Sequence, residues 1–516
     1  MHRGFFGRTA GARTENLGGF LYFEWEQLIP RENPPIMEGK KQSFKEGQNM
    51  MNHRWIEEHV DAFIADNREA LIRDLKTVID IDSVEAPAEP NAPYGPGVRK
   101  ALDAALEIAR NLGLEAGECD GYMGYADVKG VSETQLATIA HLDVVPAGNG
   151  WNSDPFGMIE KDGWLIGRGV SDDKGPALLT LYMAKFFKEY CDQTGETLPY
   201  TLRVLLGCSE ETGMTDVDYY LERNPMPAFC FTPDADFPVG YGEKGGFGGA
   251  FVSRKLSGNL RDFAGGVAGN VVPDRASALV KADIAALQET ENVKIAAEGD
   301  CVRITGYGIG GHASKPQGTV NAIGLVVNYL LDHHLCTPEE ETYLSMLRTL
   351  LSCTDGSSFG IACQDEVFDP LTCIGGTISM TDGVLRQTID VRFPTCITGE
   401  ELIEKSKALA ATGEAEFIPS RVNKPFYIHP ESPAIDVLMN AYRSVTGSDK
   451  KPFTMGGGTY ARHFANAVSF GPDDDAEKPD FVGSMHGANE GVNTEFMLSA
   501  LKIYILAMAG RLDLTF

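Results

Sequence analysis

The chain has 516 residues, which at about 150 residues per domain is room for two to four domains. Hydrophobic residues make up 43% and charged residues 23%, the composition of an ordinary globular protein rather than a fibrous or disordered one. The 45 Lys+Arg against 73 Asp+Glu leave a formal net charge of −28, a surface that repels nucleic acid and anionic membrane but suits a small or cation-assisted substrate.

No apolar run reaches the ~20 residues needed to cross a bilayer. The ten cysteines form no CxxC pair, and several sit in apolar runs such as VLLGCS around Cys208 and AFCF around Cys230. They are expected to be buried reduced thiols, without a disulfide framework, which favours the cytoplasm. Residues 1–50 carry scattered arginines and a Gly-rich run, with no apolar core ahead of a small-residue cleavage site. Lys45-Glu46-Gly47 is encodable by a purine-rich, ribosome-binding-like stretch just before Met50 and Met51. An atypical extension over 1–50, with translation starting at one of those methionines, is therefore expected.

Helical periodicity over 53–81 brings Ile56, Val60, Phe63, Leu71, Leu75 and Val78 onto one face. A Pro- and Ala-rich loop follows, then a helix over 98–112 closed by Gly113. Strands are expected at 125–128 and 136–140, the second ending directly on His141. A short strand at 164–166 leads into a tight turn and a helix over 176–190. A strand over 200–207 ends on Ser209-Glu210-Glu211, a helix covers 217–223, and a strand over 228–232 ends on Pro233-Asp234. Strands alternating with helices imply a doubly wound α/β domain. From Phe247 to Asn423 the pattern becomes mainly strands with two helical stretches, 319–335 and 400–411, an α+β insertion with a mainly antiparallel sheet. The α/β character then returns, with a helix over 433–445, the loop 456–458, a strand over 467–470 and a last helix over 494–512. The expected division is 51–246 with 424–516 as the catalytic domain and 247–423 as a lid.

Five oxygen or imidazole donors stand at strand ends and loops: His141, Asp172, Glu211, Asp234 and His486. Without a thiolate, the set suits zinc, and also manganese or cobalt. Five ligands exceed one open catalytic zinc and fit two ions sharing a carboxylate, for which Asp172 at a strand-to-helix turn is the expected bridge. Asp143, two residues from His141, would orient its neighbours. Glu210, adjacent to Glu211, would stay free as a general base. Each residue alone has an ordinary structural explanation, a cap, a turn or a solvated pair; their coincidence favours the metal site.

The boxes HLDVVP, GRGVSDDKGP and GCSEETG resemble those of the dinuclear zinc peptidase family that includes aminoacylases, carboxypeptidases and carnosinase-like dipeptidases. TPDADFPVGYGEKGG, GGVAGNVVPDRA, GHASKPQGTVNAI, DVRFP and MGGGTYAR are most similar to its dipeptidase V branch. The resemblance implies that His141, Asp172 and Asp234 hold one metal, and Asp172, Glu211 and His486 the other. It implies Glu210 as base, His312 as oxyanion donor, and a cis peptide at Asp172-Asp173. Asn270, Arg392, Gly457, Gly458 and Thr459 would contact the substrate and its C-terminal carboxylate.

The function so implied is hydrolysis of dipeptides with a free N-terminus by a dinuclear metallo-dipeptidase. Two readings remain beside it: an N-acyl amino acid deacylase or desuccinylase, and a non-catalytic metal- or peptide-binding protein. The expected partner is a small peptide substrate, without nucleic acid or membrane. A lid this long can supply the oxyanion histidine in one chain, so a monomer is expected rather than an obligate oligomer.

Overall fold

The periodicity of the first helix produces His53–Ile79, which buries Ile56, Val60, Phe63, Leu71, Leu75, Val78 and Ile79 and is capped by the Asn52 side chain on Trp55 N–H. The computed structural model describes residues 51–473 and 478–516, so the expected extension over 1–50 lies outside the described residues. The helix Pro96–Asn111 starts on a proline, where the missing N–H costs nothing. The helices Lys174–Thr194 and Thr494–Leu512 are buried on nearly every side. With the helix Pro433–Thr446, they pack on one face of a nine-stranded sheet.

That sheet runs in the order Glu115–Cys119, Met123–Val128, Leu198–Gly207, Gly130–His141, Phe229–Thr232, Ala467–Ser469, Gly240–Glu243 and Phe426–Tyr427, with Phe453–Met455 paired beside Gly240–Glu243. Its centre is parallel: Gly130–His141 pairs with Leu198–Gly207 on one side and Phe229–Thr232 on the other. Side chains alternate between two cores. Leu136 and Ala140 face the long helices, whereas Ala137 and Ile139 face a smaller core holding Val217, Tyr220 and Tyr460. Helical turns thus cover both faces, as a doubly wound sheet requires.

The chain leaves this sheet at Lys244 and enters a second one. Eight strands pair in the order Val293–Glu298, Cys301–Tyr307, Arg275–Val280, Leu260–Gly265, Thr372–Thr381, Val384–Phe393, Gly245–Ser253 and Ala415–Asn423, all antiparallel. One face carries the helices Ala322–Asp332, Pro338–Leu350 and Gly399–Thr412 over a separate apolar core. After Asn423 the chain returns to the first sheet at Phe426–Tyr427. The architecture is an α/β catalytic body interrupted by an antiparallel α+β lid.

Two readings need correction. The lid has a third helix, Pro338–Leu350, between the two expected; Thr337 and Glu340 form its capping box and Pro338 opens it. The cysteines are not all reduced: Cys363 and Cys396 form a disulfide, with Cα atoms 6.3 Å apart. Asp365 brings them together by accepting the Thr395 N–H and hydroxyl, both at 2.7 Å, along with the N–H groups of Val367 and Phe368. The other eight cysteines are free, and Cys208 and Cys230 are buried as expected.

Candidate metal centre

Three adjacent parallel strands end at one edge of the catalytic sheet. Gly130–His141 ends on His141, Leu198–Gly207 runs into the Glu210-Glu211 turn, and Phe229–Thr232 runs into Asp234. Chemistry collects at such carboxyl edges because the loops there converge. Asp172 arrives from the turn before the helix Lys174–Thr194, and its peptide bond to Asp173 is cis. His486 comes from the loop before Gly491–Asn493, whose strand pairs with Trp164–Ile166 just ahead of that turn.

The five predicted ligands form two groups. His141, Asp172 and Asp234 make one, and Asp172, Glu211 and His486 the other, with ligand atoms of each within 4.8 Å of one another. The two oxygens of Asp172 face different imidazoles: Oδ1 is 2.9 Å from His141 Nε2, and Oδ2 is 2.7 Å from His486 Nε2. Glu211 Oε1 lies 3.1 Å from His486 Nε2, and Asp234 Oδ2 lies 4.0 Å from His141 Nε2. A carboxylate presenting one oxygen to each group is the geometry a bridging ligand needs.

The chain's own charges leave this cluster strongly acidic. Burial, then the neighbouring carboxylates, push Glu210, Asp234 and Asp173 well above their ordinary values. Hydrogen bonds donated to the Asp172 and Glu211 carboxylates raise the His486 imidazole to about 11. Burial pulls His141 down but is outweighed by Asp143 and Asp172, so it too is raised. Clustered carboxylates with only two imidazoles between them are what divalent cations neutralise, so the residues fit a two-metal site.

Asp143 touches both halves of the cluster. Its oxygens accept the N–H groups of Glu210 at 3.2 Å and Glu211 at 3.1 Å, and its carbonyl lies 2.9 Å from His141 Nδ1. Glu210 and Glu211 thus lie in a turn. Among the described residues, the Glu210 carboxylate has no hydrogen-bonding partner.

The lid residues gather near one another. Asn270 precedes a two-stranded ribbon in which Val271 pairs with His312, and Ala313 N–H donates to the Asn270 carbonyl at 2.8 Å. His312 Nδ1 meets Ser314 Oγ at 2.7 Å, leaving Nε2 exposed. Burial, then Arg392, holds its pKa below the ordinary value, and His486 contributes in the same direction. Arg392 Nη1 donates to the Gly456 carbonyl at 3.0 Å, joining the lid to the Gly-rich loop. Within that loop, Thr459 N–H and Oγ1 both donate to Glu243, at 3.1 and 2.6 Å. Arg462, unassigned from sequence, donates to the other Glu243 oxygen at 2.8 Å; a Cβ on Gly458 would stand 2.7 Å from its guanidinium.

The profile of Peptidase family M20/M25/M40 matches residues 137–509. The chain belongs to that family. A Staphylococcus epidermidis protein named "Putative dipeptidase" is 30% identical over 459 residues, covering 85% of this chain and 96% of the relative. "Putative dipeptidase YtjP" of Bacillus subtilis is 29% identical over 462 residues, covering 86% and 97%. Human carnosine dipeptidase 1 and the Saccharomyces cerevisiae di-peptidase Dug1p each share the fold at a TM-score of 0.56 and 14% identity, covering 88% of this chain and 98% of theirs. As an M20 peptidase the chain is a peptide-bond hydrolase of a dinuclear metal-binding family.

This M20 site also uses residues that sequence reasoning passed over. Glu490 is fully buried, and its Oε1 accepts the N–H groups of Gly169, Ser171 and Asp172 at 3.1, 3.0 and 3.1 Å. Its Oε2 meets Arg168 Nη1 at 2.5 Å, and Arg168 Nη2 donates to the His486 carbonyl at 3.2 Å. Burial, then the Asp172 charge, pushes the Glu490 carboxyl up to about 7, against the lowering effect of the Ser171 N–H and Arg168. The pair locks the Asp172 turn to the His486 loop. Asp216 Oδ2 similarly holds Cys208 N–H, Ser209 N–H and the Tyr460 hydroxyl, at 2.6, 3.1 and 2.5 Å. Lys174 Nζ reaches the Val78 and Ile81 carbonyls, and burial lowers its pKa to about 7. The available signal was position: Arg168 lies inside the GRGVSDDKGP box that carries Asp172, and Glu490 lies four residues after His486.

Proposed function

We propose that this chain is a two-metal dipeptidase that cleaves dipeptides with a free N-terminus. The observation that carries the reading is a carboxylate, Glu210, without a partner beside two ligand groups that share Asp172. His141, Asp172 and Asp234 would hold one ion, and Asp172, Glu211 and His486 the other, with zinc the best match and manganese or cobalt compatible. Bound there, the ions would polarise the scissile carbonyl and acidify water at neutral pH.

Glu210 takes the proton of the attacking water and passes it to the leaving amine. Asp143 fixes the Glu210-Glu211 backbone and so aims that carboxylate. His312 donates through Nε2 to the oxyanion that develops on the carbonyl. Asn270, Arg392 and the Gly457-Gly458-Thr459 loop position the substrate, and residues 247–423 act as the lid that limits its length. The names of the relatives support dipeptides over N-acyl amino acids. A cytoplasmic monomer is the accompanying proposal; among the described residues no helix is long and apolar enough to cross a membrane.

The test is a metal-stripped and reconstituted enzyme assayed on free dipeptides beside N-acetyl and N-succinyl amino acids. Glu210→Gln is expected to keep its metal and lose about 10²–10⁴-fold in kcat. Near-wild-type turnover by the metal-loaded variant would remove Glu210 as the base.

A further inference from the structure

The consecutive backbone N–H groups of residues 208–211 all donate to buried carboxylates. Asp143 takes Glu210 and Glu211, and Asp216 takes Cys208 and Ser209, at 2.6 and 3.1 Å. Asp216 is fully buried, in the first turn of the helix Thr215–Leu221. Among the described residues its partners are the N–H groups of Cys208, Ser209 and Val217 and the Tyr460 hydroxyl, which donates at 2.5 Å. Burial raises the Asp216 carboxyl to about 6, and the Tyr460 hydroxyl is the largest influence pulling it back. An ionised carboxylate accepts more strongly than a neutral one, so that hydroxyl sustains the hold of Asp216 on the turn.

Tyr460 is also fully buried, and it arrives from another part of the chain. It follows Thr459 directly, past the Gly-rich loop, and opens the turn Tyr460–His463. Gly207 makes room for it at the end of the strand that leads to Glu210: a Cβ there would stand 2.2 Å from Tyr460 Oη. The loop before Tyr460 is held by the lid. Arg392 donates to the Gly456 carbonyl, and a Cβ on Gly456 would stand 2.6 Å from Ser314 Cβ. Ser314 is in turn the partner of His312 Nδ1. Thr459 is fixed to Glu243, the residue before the chain enters the lid. One phenolic hydroxyl therefore links the lid and the Gly-rich loop to the turn that carries Glu210.

We infer that Tyr460 is a positioning residue for Glu210, acting through Asp216 to tie the base-bearing turn to the loop held by the lid. The inference rests on the dipeptidase reading, in which Glu210 is the base. Asp143 fixes one half of the turn and the Asp216–Tyr460 pair fixes the other. Displacing a reacting group by about 1 Å can cost about 10²-fold in rate, so a slackened turn has a measurable price.

The test is a double-mutant cycle on the metal-loaded full chain with one dipeptide, combining Tyr460→Phe with Glu210→Gln. Tyr460→Phe keeps the buried ring and removes the hydroxyl. It is expected to lower kcat about 10-fold, with KM within about threefold and zinc content unchanged. In the Glu210→Gln background the same change should alter kcat less than about twofold, because the group it positions is already disabled. Asp216→Asn should lower kcat similarly and add little to Tyr460→Phe. Equal losses in both backgrounds, or a folded Tyr460→Phe enzyme with wild-type kcat, overturn the inference and leave the dipeptidase reading intact. Near-wild-type turnover by metal-loaded Glu210→Gln overturns the base assignment, and the inference with it.

Discussion

Replacing Glu490 by glutamine keeps the shape of the side chain and removes the charge that four donors share. Three are backbone amides at 3.0–3.1 Å and the fourth is Arg168 Nη1 at 2.5 Å. Neither side chain of the ion pair is more than 1% exposed, so water cannot replace the lost partner. Orphaning one member of a buried pair costs about 3–5 kcal/mol. The glutamine oxygen still satisfies part of the amide set, so the lower end, about 3 kcal/mol, is expected. That is a large share of the roughly 5–15 kcal/mol by which a folded domain is stable. Metal affinity should fall as well, because Glu490 holds the Asp172 N–H and Arg168 holds the His486 carbonyl. Partners standing behind metal ligands typically contribute about 10–100-fold in affinity. Urea unfolding of the metal-free protein reads the first effect, and zinc titration against a chromophoric chelator reads the second. Adding Arg168→Met should recover much of the stability, since the orphaned charge is gone, without restoring affinity. A folded Glu490→Gln protein with wild-type zinc affinity would refute the reasoning.

His53 contacts Asp513, and the hydrogen bond raises its pKa above the ordinary 6.5. The folded state therefore binds the proton more tightly. The stabilisation is complete below pH 6.5 and is lost as pH rises through the raised folded-state value. With the imidazole 42% exposed, His53→Ala should cost less than about 1 kcal/mol in acid and nearly nothing in alkali; a pH-independent difference between the unfolding curves would contradict this. The disulfide spans 33 residues, for which loop closure gives about 3–4 kcal/mol. Cys363→Ser with Cys396→Ser should lower stability by up to that amount without reductant and match wild type when both are reduced.

The ligand set was readable because its chemistry sits at strand ends, and strands such as Leu198–Gly207 are short apolar runs with clear limits. The last helix, Thr494–Leu512, has the limits its periodicity predicts. The missed helix Pro338–Leu350 had a legible start, Thr337-Pro338 with Glu340, but its apolar face is narrow and merged with the preceding helical stretch. Other features depend on contacts remote in sequence. Glu490 acts on backbone N–H groups more than 300 residues earlier, which no side-chain pattern encodes. The Thr459 donors were expected for the substrate, yet both are taken by Glu243 from the strand that leads to the lid. Cys363 and Cys396 meet because Asp365 folds one loop onto another, not because of their spacing.

The chain enters the lid through Lys244 and comes back between Asn423 and Phe426, and these two crossings are neighbours: the strands on either side of them pair in both sheets. Lys244 is itself anchored, its N–H to the Met455 carbonyl and its Nζ to the Pro370 carbonyl. An attachment by two adjacent strands leaves rotation about their common line as the least hindered motion. Asn270, His312 and Arg392 all belong to the segment beyond that axle, so a rotation about it would carry them relative to the acidic cluster as a set. Stiffening the axle, at residues that touch neither metal nor substrate, would therefore alter the grip on both ends of a dipeptide at once.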